Sequence, residues 1–133
     1  MIARREYQSA KEVMSDKIVF IDGMATAKEA VDLMKKEKVD ALIVNKRNEF
    51  DAYGIVVITD FVNGVIIPDR KSESVNVFEI MSKPVFCIPA DMDVRYVARL
   101  LIETGVRTAP VEENRNLIGM ISLTQLILEN RLF

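Results

Sequence analysis

Two stretches of the chain carry polar residues at one spacing: Gly54-Ile55-Val56-Val57-Ile58-Thr59-Asp60 and Gly119-Met120-Ile121-Ser122-Leu123-Thr124-Gln125. Each is a glycine, an apolar run that reads as a buried strand, and polar side chains at the mouth of an apolar helix. A strand that feeds straight into a helix leaves backbone N–H groups unpaired and pointing outward, which favours anions such as phosphates. Asp60 also has a purely local reason to be there. A carboxylate in the first turn gains about 0.3–1 kcal/mol from the exposed amides and the helix dipole, with no ligand. Ser122 and Gln125 are spaced as a capping box, so capping alone accounts for both. The chemistry on offer is binding. With no histidines, no assembled nucleophile and base, and no metal-ligand cluster at recognisable spacing, the chain is not expected to be an enzyme.

The elements that must position these residues follow from the hydrophobic pattern. Residues 9–14 can form a helical turn, and Ile18-Val19-Phe20-Ile21 reads as a strand. Thr26 and Glu29 are spaced as a capping box, and Ala27, Ala30, Val31 and Met34 fall on one helical face. That helix runs out near Glu37-Lys38. Residues 41–44 are a continuous apolar run, fitting a strand buried on both faces. A charged turn, a strand over 53–58, and a helix from about Thr59 to Pro68 follow.

After Asp69-Arg70-Lys71-Ser72-Glu73-Ser74 the chain starts over. Val77-Phe78-Glu79-Ile80-Met81-Ser82 echoes Ala10-Lys11-Glu12-Val13-Met14-Ser15, and 81 − 14 gives an offset of 67. The same offset carries Ala27, Ala30, Val31 and Met34 onto Val94, Val97, Ala98 and Leu101. Gly105 ends the second copy's first helix, where a left-handed residue is commonly needed. The repeat is strand, helix, strand, strand, helix, used twice. The expected organisation is an arm over 1–8, repeat 1 over 9–68, a linker over 69–74 and repeat 2 over 75–133, with a cleft lined by both copies on a pseudo-two-fold axis.

Bulk properties narrow the class. The net charge of −2 argues against a broad nucleic-acid footprint, and no apolar run reaches the roughly 20 residues that span a bilayer. No signal peptide is visible, and the single cysteine, Cys87, agrees with a reducing cytoplasm. Cys87 lies in Val85-Phe86-Cys87-Ile88, which reads as an apolar strand, and is expected to be a small core residue rather than a reactive thiol. The second helices carry more apolar surface than one core-facing stripe uses: Phe61, Val62, Val65, Ile66 and Ile67 in one, Leu123, Leu126, Ile127, Leu128, Leu132 and Phe133 in the other. Such an excess suggests burial against a second copy, and a homodimer is the expected assembly.

The tandem β-α-β-β-α order resembles a pair of CBS domains, a Bateman module. The resemblance rests on Met14-Ser15, on Met81-Ser82-Lys83-Pro84-Val85, on Gly105-Val106-Arg107-Thr108-Ala109-Pro110-Val111 and on the two glycine-to-helix stretches. It covers about residues 9–130 and implies an α/β fold with a stand-alone regulatory role. It further implies a cleft that binds an adenosine-containing ligand such as AMP, ADP, ATP or S-adenosylmethionine, with no cofactor required and occupancy transmitted to an effector protein. The family's motif resembles glycine, two apolar residues, Thr or Ser, two further residues, then Asp. On that pattern Asp60 would take the ribose hydroxyls, Thr59 and Ser122 would lie near phosphate, and Arg107 would reach phosphate. The base would sit in an apolar slot near Pro84 and Val85. Neither motif is complete, because Val57 stands at the hydroxyl position, Gln125 at the aspartate position, and Asp40 where repeat 2 has Arg107. One good site combining Asp60 with Arg107 is therefore expected. The alternative is a degenerate cleft in a protein-interaction or dimerisation module that works without nucleotide, and for Arg107 itself the alternative is a solvated side chain or a surface ion pair worth very little.

Overall fold

The computed structural model describes residues 6–129. The chain divides into two compact units, each built on one three-stranded sheet. One unit is the continuous stretch Val19–Val85; the described part of the other is residues 6–18 together with 86–129.

In the continuous unit, β1 (Phe20–Ile21) leads to α2 (Ala27–Glu37); the short α1 (Ala10–Val13) that precedes them belongs to the other unit. Thr26 starts α2 as its spacing requires: its hydroxyl accepts the Glu29 N–H at 3.1 Å, and Glu29 Oε1 accepts the Thr26 N–H at 3.1 Å. The helix turns Ala27, Ala30 and Met34 into the core. β2 (Ala41–Val44) is buried at every residue, pairs in parallel with β1 and antiparallel with β3 (Gly54–Val57). β3 passes directly into α3 (Ile58–Phe61), which opens into a π-helical turn, Val62–Ile66. A 3-10 turn, Ser72–Ser74, falls inside the stretch that reads as a linker, and α4 (Val77–Ile80) follows. Val75 and Val77 are fully buried in this unit's core, and their backbones bond to it through Ala27 N–H to Val75 O at 2.7 Å and Val77 N–H to Ala25 O at 2.8 Å.

The other unit has the same plan. Its leading helix is α1 (Ala10–Val13), capped by Ser9 and Glu12, and held by Ala10 N–H to Met92 O at 2.8 Å and Lys11 N–H to Ala90 O at 2.9 Å. β4 (Ile88–Pro89), α5 (Val94–Thr104), β5 (Thr108–Glu113), β6 (Asn116–Ser122) and α6 (Leu123–Leu128) complete it. The order β4-β5-β6 repeats that of the first sheet, parallel then antiparallel. Each repeat's leading helix thus packs in the unit that holds the other repeat's sheet.

The expected strand over 18–21 is shorter in the structure, because pairing with β2 begins only at Phe20. Residues 85–87 are likewise not strand, since the parallel ladder with β5 starts at Ile88 opposite Val111. Cys87 is accordingly half-buried rather than a core residue. Its thiol is pushed up to about 11 by partial burial and by the neighbouring Glu112 carboxylate, which favours the protonated thiol at neutral pH.

The two long helices end alike, with a left-handed residue: Gly105 at φ 71° after α5, and Lys38 at φ 58° after α2. Only glycine takes that conformation without a Cβ penalty. Lys38→Gly should therefore raise stability by about 1 kcal/mol and Gly105→Ala lower it by about 1 kcal/mol. A Cβ at Gly105 would meet nothing within 4 Å, so that loss would be purely conformational. Paired urea melts read both, and shifts of one sign would defeat the backbone account.

Candidate functional site

Both glycine-to-helix stretches form the junctions expected of them, and each keeps one half of a capping box. Val57 is the extended N-cap residue of α3 and has no side-chain acceptor. The return half is present, with Asp60 Oδ2 accepting the Val57 N–H at 2.8 Å. At the second junction Ser122 Oγ accepts the Gln125 N–H at 3.0 Å, the forward half. Capping therefore occupies part of both candidate groups.

Asp60 is half-buried, and its Oδ1 has no donor among the described residues. Desolvation raises its pKa above the ordinary aspartate value, and the Val57 N–H only partly offsets this. A carboxylate held under-solvated with open acceptor sites is suited to take a pair of hydroxyls. Thr59 is exposed in the same turn. Asp40, exposed, immediately precedes β2 where Ala41 faces Val57, so this strand end carries two acids.

The other unit brings Arg107 and Ser122 together. Thr108 is the register partner of Ser122, and the Arg107 carbonyl accepts the Leu123 N–H at 3.0 Å. The Arg107 side chain is exposed and has no salt bridge among the described residues. Gln125 is half-buried and engaged in a contact of its own. Asp60, Thr59, Pro84 and Val85 thus belong to the continuous unit, and Arg107, Ser122 and Gln125 to the discontinuous one.

Pro84 is exposed and Val85 half-buried. They sit at the leading end of β3, where Ser82 exchanges two backbone bonds of 2.9 Å with Ile55 and the Val85 N–H reaches Tyr53 O at 2.8 Å. Asp60 lies past the trailing end, in the first turn of α3. Sequence reasoning missed what fixes the segment. Lys83 Nζ contacts Asp51 Oδ2 at 2.7 Å, and Asp51, whose side chain is 8% exposed, also accepts from the Arg47 N–H and Nε. Lys83 and then Arg47 hold the Asp51 carboxyl well below the usual range. No local pattern announces a pair so far apart in sequence.

The apolar surplus on the second helices is partly exposed. Phe61, Val65 and Leu126 are buried, whereas Ile58, Val62, Ile66, Ile67, Ile127 and Leu128 face outward. Leu132 and Phe133 lie outside the described residues. Among the described residues no His, Cys, Asp or Glu cluster suits a metal ion, and no helix is long and apolar enough to cross a membrane.

The CBS domain model matches residues 10–66 and 77–130. The chain belongs to the CBS domain family. Among solved structures, this CBS pair resembles a hexameric CBS-CP12 protein from bloom-forming cyanobacteria, with 40% identity, a TM-score of 0.87, and coverage of 92% of this chain and 70% of that one. The CBS domain pair of protein MJ0100, in complex with 5′-methylthioadenosine and S-adenosyl-L-methionine, shares the fold at 19% identity and a TM-score of 0.77, covering 91% of this chain and 94% of that one. An uncharacterized protein of Methanopyrus kandleri is 28% identical over 121 residues, 90% of this chain and 61% of its own length. The CBS pair thus spans less than two thirds of that curated relative.

Proposed function

We propose that this CBS pair is a cytoplasmic regulatory module that binds an adenosine-containing ligand, AMP, ADP, ATP or S-adenosylmethionine, and passes occupancy to an effector protein. The observation that carries this reading is Asp60, a half-buried carboxylate at the family's motif position with one oxygen open among the described residues. It would take the ribose hydroxyls, with Arg107 and the helix amides on phosphate, Thr59, Ser122 and Gln125 nearby, and the base against Pro84 and Val85. The MJ0100 complex supports the ligand class. Regulation requires that the ligand favour one conformation over another, since equal affinity shifts nothing. The outward Ile58, Val62, Ile66 and Ile67 would pair copies into a homodimer, which light scattering over a wide concentration range tests.

Asp60→Asn is the discriminating variant. Asparagine still offers an oxygen to the Val57 N–H but cannot ionise. A carboxyl raised in the folded state favours its protonated form, so its stabilising contribution is present at low pH and lost as pH rises through the raised pKa. At neutral pH Asp60→Asn should therefore melt no lower than the parent, with any gain shrinking towards the ordinary aspartate range. Ligand at a hundred times its Kd should stabilise the parent by about 2.7 kcal/mol, a Tm rise on the order of 10 °C. The variant should lose that rise, and a rise kept in full would remove Asp60 from the site. Stoichiometry by titration reads whether Asp60 and Arg107 serve one ligand or two.

The second reading, a module acting by contact alone, is favoured by Asp40 in place of a base and by Ser122 already committed to its cap. Absence of any nucleotide-induced shift in ligand-stripped protein would select it. Nucleotide turnover by purified protein would overturn both.

A further inference from the structure

We propose that the outward face of α5 is a docking surface for an acidic protein segment. α2 and α5 hold the same place in the two repeats, eleven residues each at an offset of 67. Their core faces correspond, with Ala27, Ala30 and Met34 matched by Val94, Val97 and Leu101. Their outward faces do not. On α2, Lys28 and Asp32 pair at 3.4 Å and neutralise one another. The same two positions on α5 are Arg95 and Arg99.

Tyr96 stands where α2 has Glu29, and its ring is shared by both cations. Arg95 Cζ lies 4.9 Å and Arg99 Cζ 5.7 Å from the ring centroid, and Arg95 Nη2 donates to the Tyr96 hydroxyl at 2.8 Å. Neither arginine has a carboxylate within salt-bridge range among the described residues. One turn further on, Ile102 is 67% exposed where α2 carries Lys35.

Like charges one helical turn apart repel, and an ordinary solvated helix face removes the conflict by alternating signs, as α2 does. On α5 both cations are held on a ring, and Glu103, one turn after Arg99, forms no ion pair with it among the described residues, so the guanidinium forks are fixed without being neutralised. Arg and Tyr are the residues enriched where proteins dock, and Lys, Glu and Asp are depleted there. The first repeat serves as an internal comparison, because the same helix in the same chain carries a charge-paired outward face. The partner that fits offers carboxylates to the two forks and an apolar side chain to cover Tyr96 and Ile102. A nucleic acid suits the face less well, since two cations make a short track, Ile102 would go unused, and the chain is net acidic.

The test uses the full chain and a fluorescein-labelled peptide of six glutamates around a central leucine, followed by anisotropy at low and moderate salt. Saturable binding that weakens with salt is expected, falling about tenfold in Arg95→Ala with Arg99→Ala and a few-fold in Ile102→Ser. Lys28→Ala with Lys35→Ala should change it less than twofold. Arg95→Lys with Arg99→Lys keeps the charge and loses the fork, so intermediate affinity is expected even if the alanine pair melts lower. No saturable binding at low salt, equal losses from the α2 variant, full affinity in the lysine pair, or equal binding of a single-stranded oligonucleotide of the same charge would each overturn the assignment.

Discussion

Gly119→Ala should cost about 3 kcal/mol, and Gly54→Ala clearly less, although the two glycines hold equivalent places in the repeat. A Cβ built on Gly119 would stand 2.4 Å from the Ser15 carbonyl oxygen and 2.6 Å from Met14 Sδ. That carbonyl cannot retreat freely, because Ser15 and Met120 exchange two backbone bonds of 2.9 and 2.8 Å. Relief requires overpacking strain of about 1–3 kcal/mol, or loss of bonds worth about 0.5–1.5 kcal/mol each. At Gly54 the nearest atom is Met81 Sδ at 2.9 Å, the far part of a flexible side chain, with the Ser82 oxygen at 3.2 Å. Methionine can give way there, so about 1 kcal/mol is expected. Urea midpoints at unchanged m-value read the difference. Equal losses would show that the backbone crossing at Ser15 is not what demands glycine.

The second large effect concerns where the chain can be cut. Fragment 19–85 should melt cooperatively by itself, whereas fragment 9–68, one sequence repeat, should not. The latter lacks Val75 and Val77, both fully buried in the core of the continuous unit. Losing them removes about 1.5–3 kcal/mol each, which a domain this small cannot spare. It also carries Ala10 and Val13, buried in the other unit's core, with nothing to cover them. Circular dichroism melts of the two fragments decide it, and a sharper transition in 9–68 would refute the partition.

The elements that were legible in the sequence are those whose causes are local. Thr26 with Glu29 fixes a helix start within one turn, the apolar run 41–44 forms a strand, and Gly105 marks a left-handed stop. The half-caps at Asp60 and Ser122 were readable for the same reason. What the pattern could not show is which sheet each leading helix joins, because Met14-Ser15 and Met81-Ser82 echo one another whichever glycine they cross. Lys38 in a left-handed conformation, the π turn after α3 and the Lys83–Asp51 contact depend on tertiary packing that overrides propensity. At the two junctions the capping spacing was visible in the sequence, and the coordinates add that each keeps only one half of its box.

The discontinuous unit also bears on how the chain is made. Residues 9–15 are synthesised before their partners, which lie at 90–93 and at Met120, roughly 80 to 105 residues later in translation. At about 5–20 residues per second that is a delay of roughly 5–20 seconds. During it, Ala10 and Val13 have no core to enter, while the continuous unit can close as soon as Val85 is available. Residues 9–15 must thus wait, exposed to chaperones and proteases, until the second sheet exists to receive them.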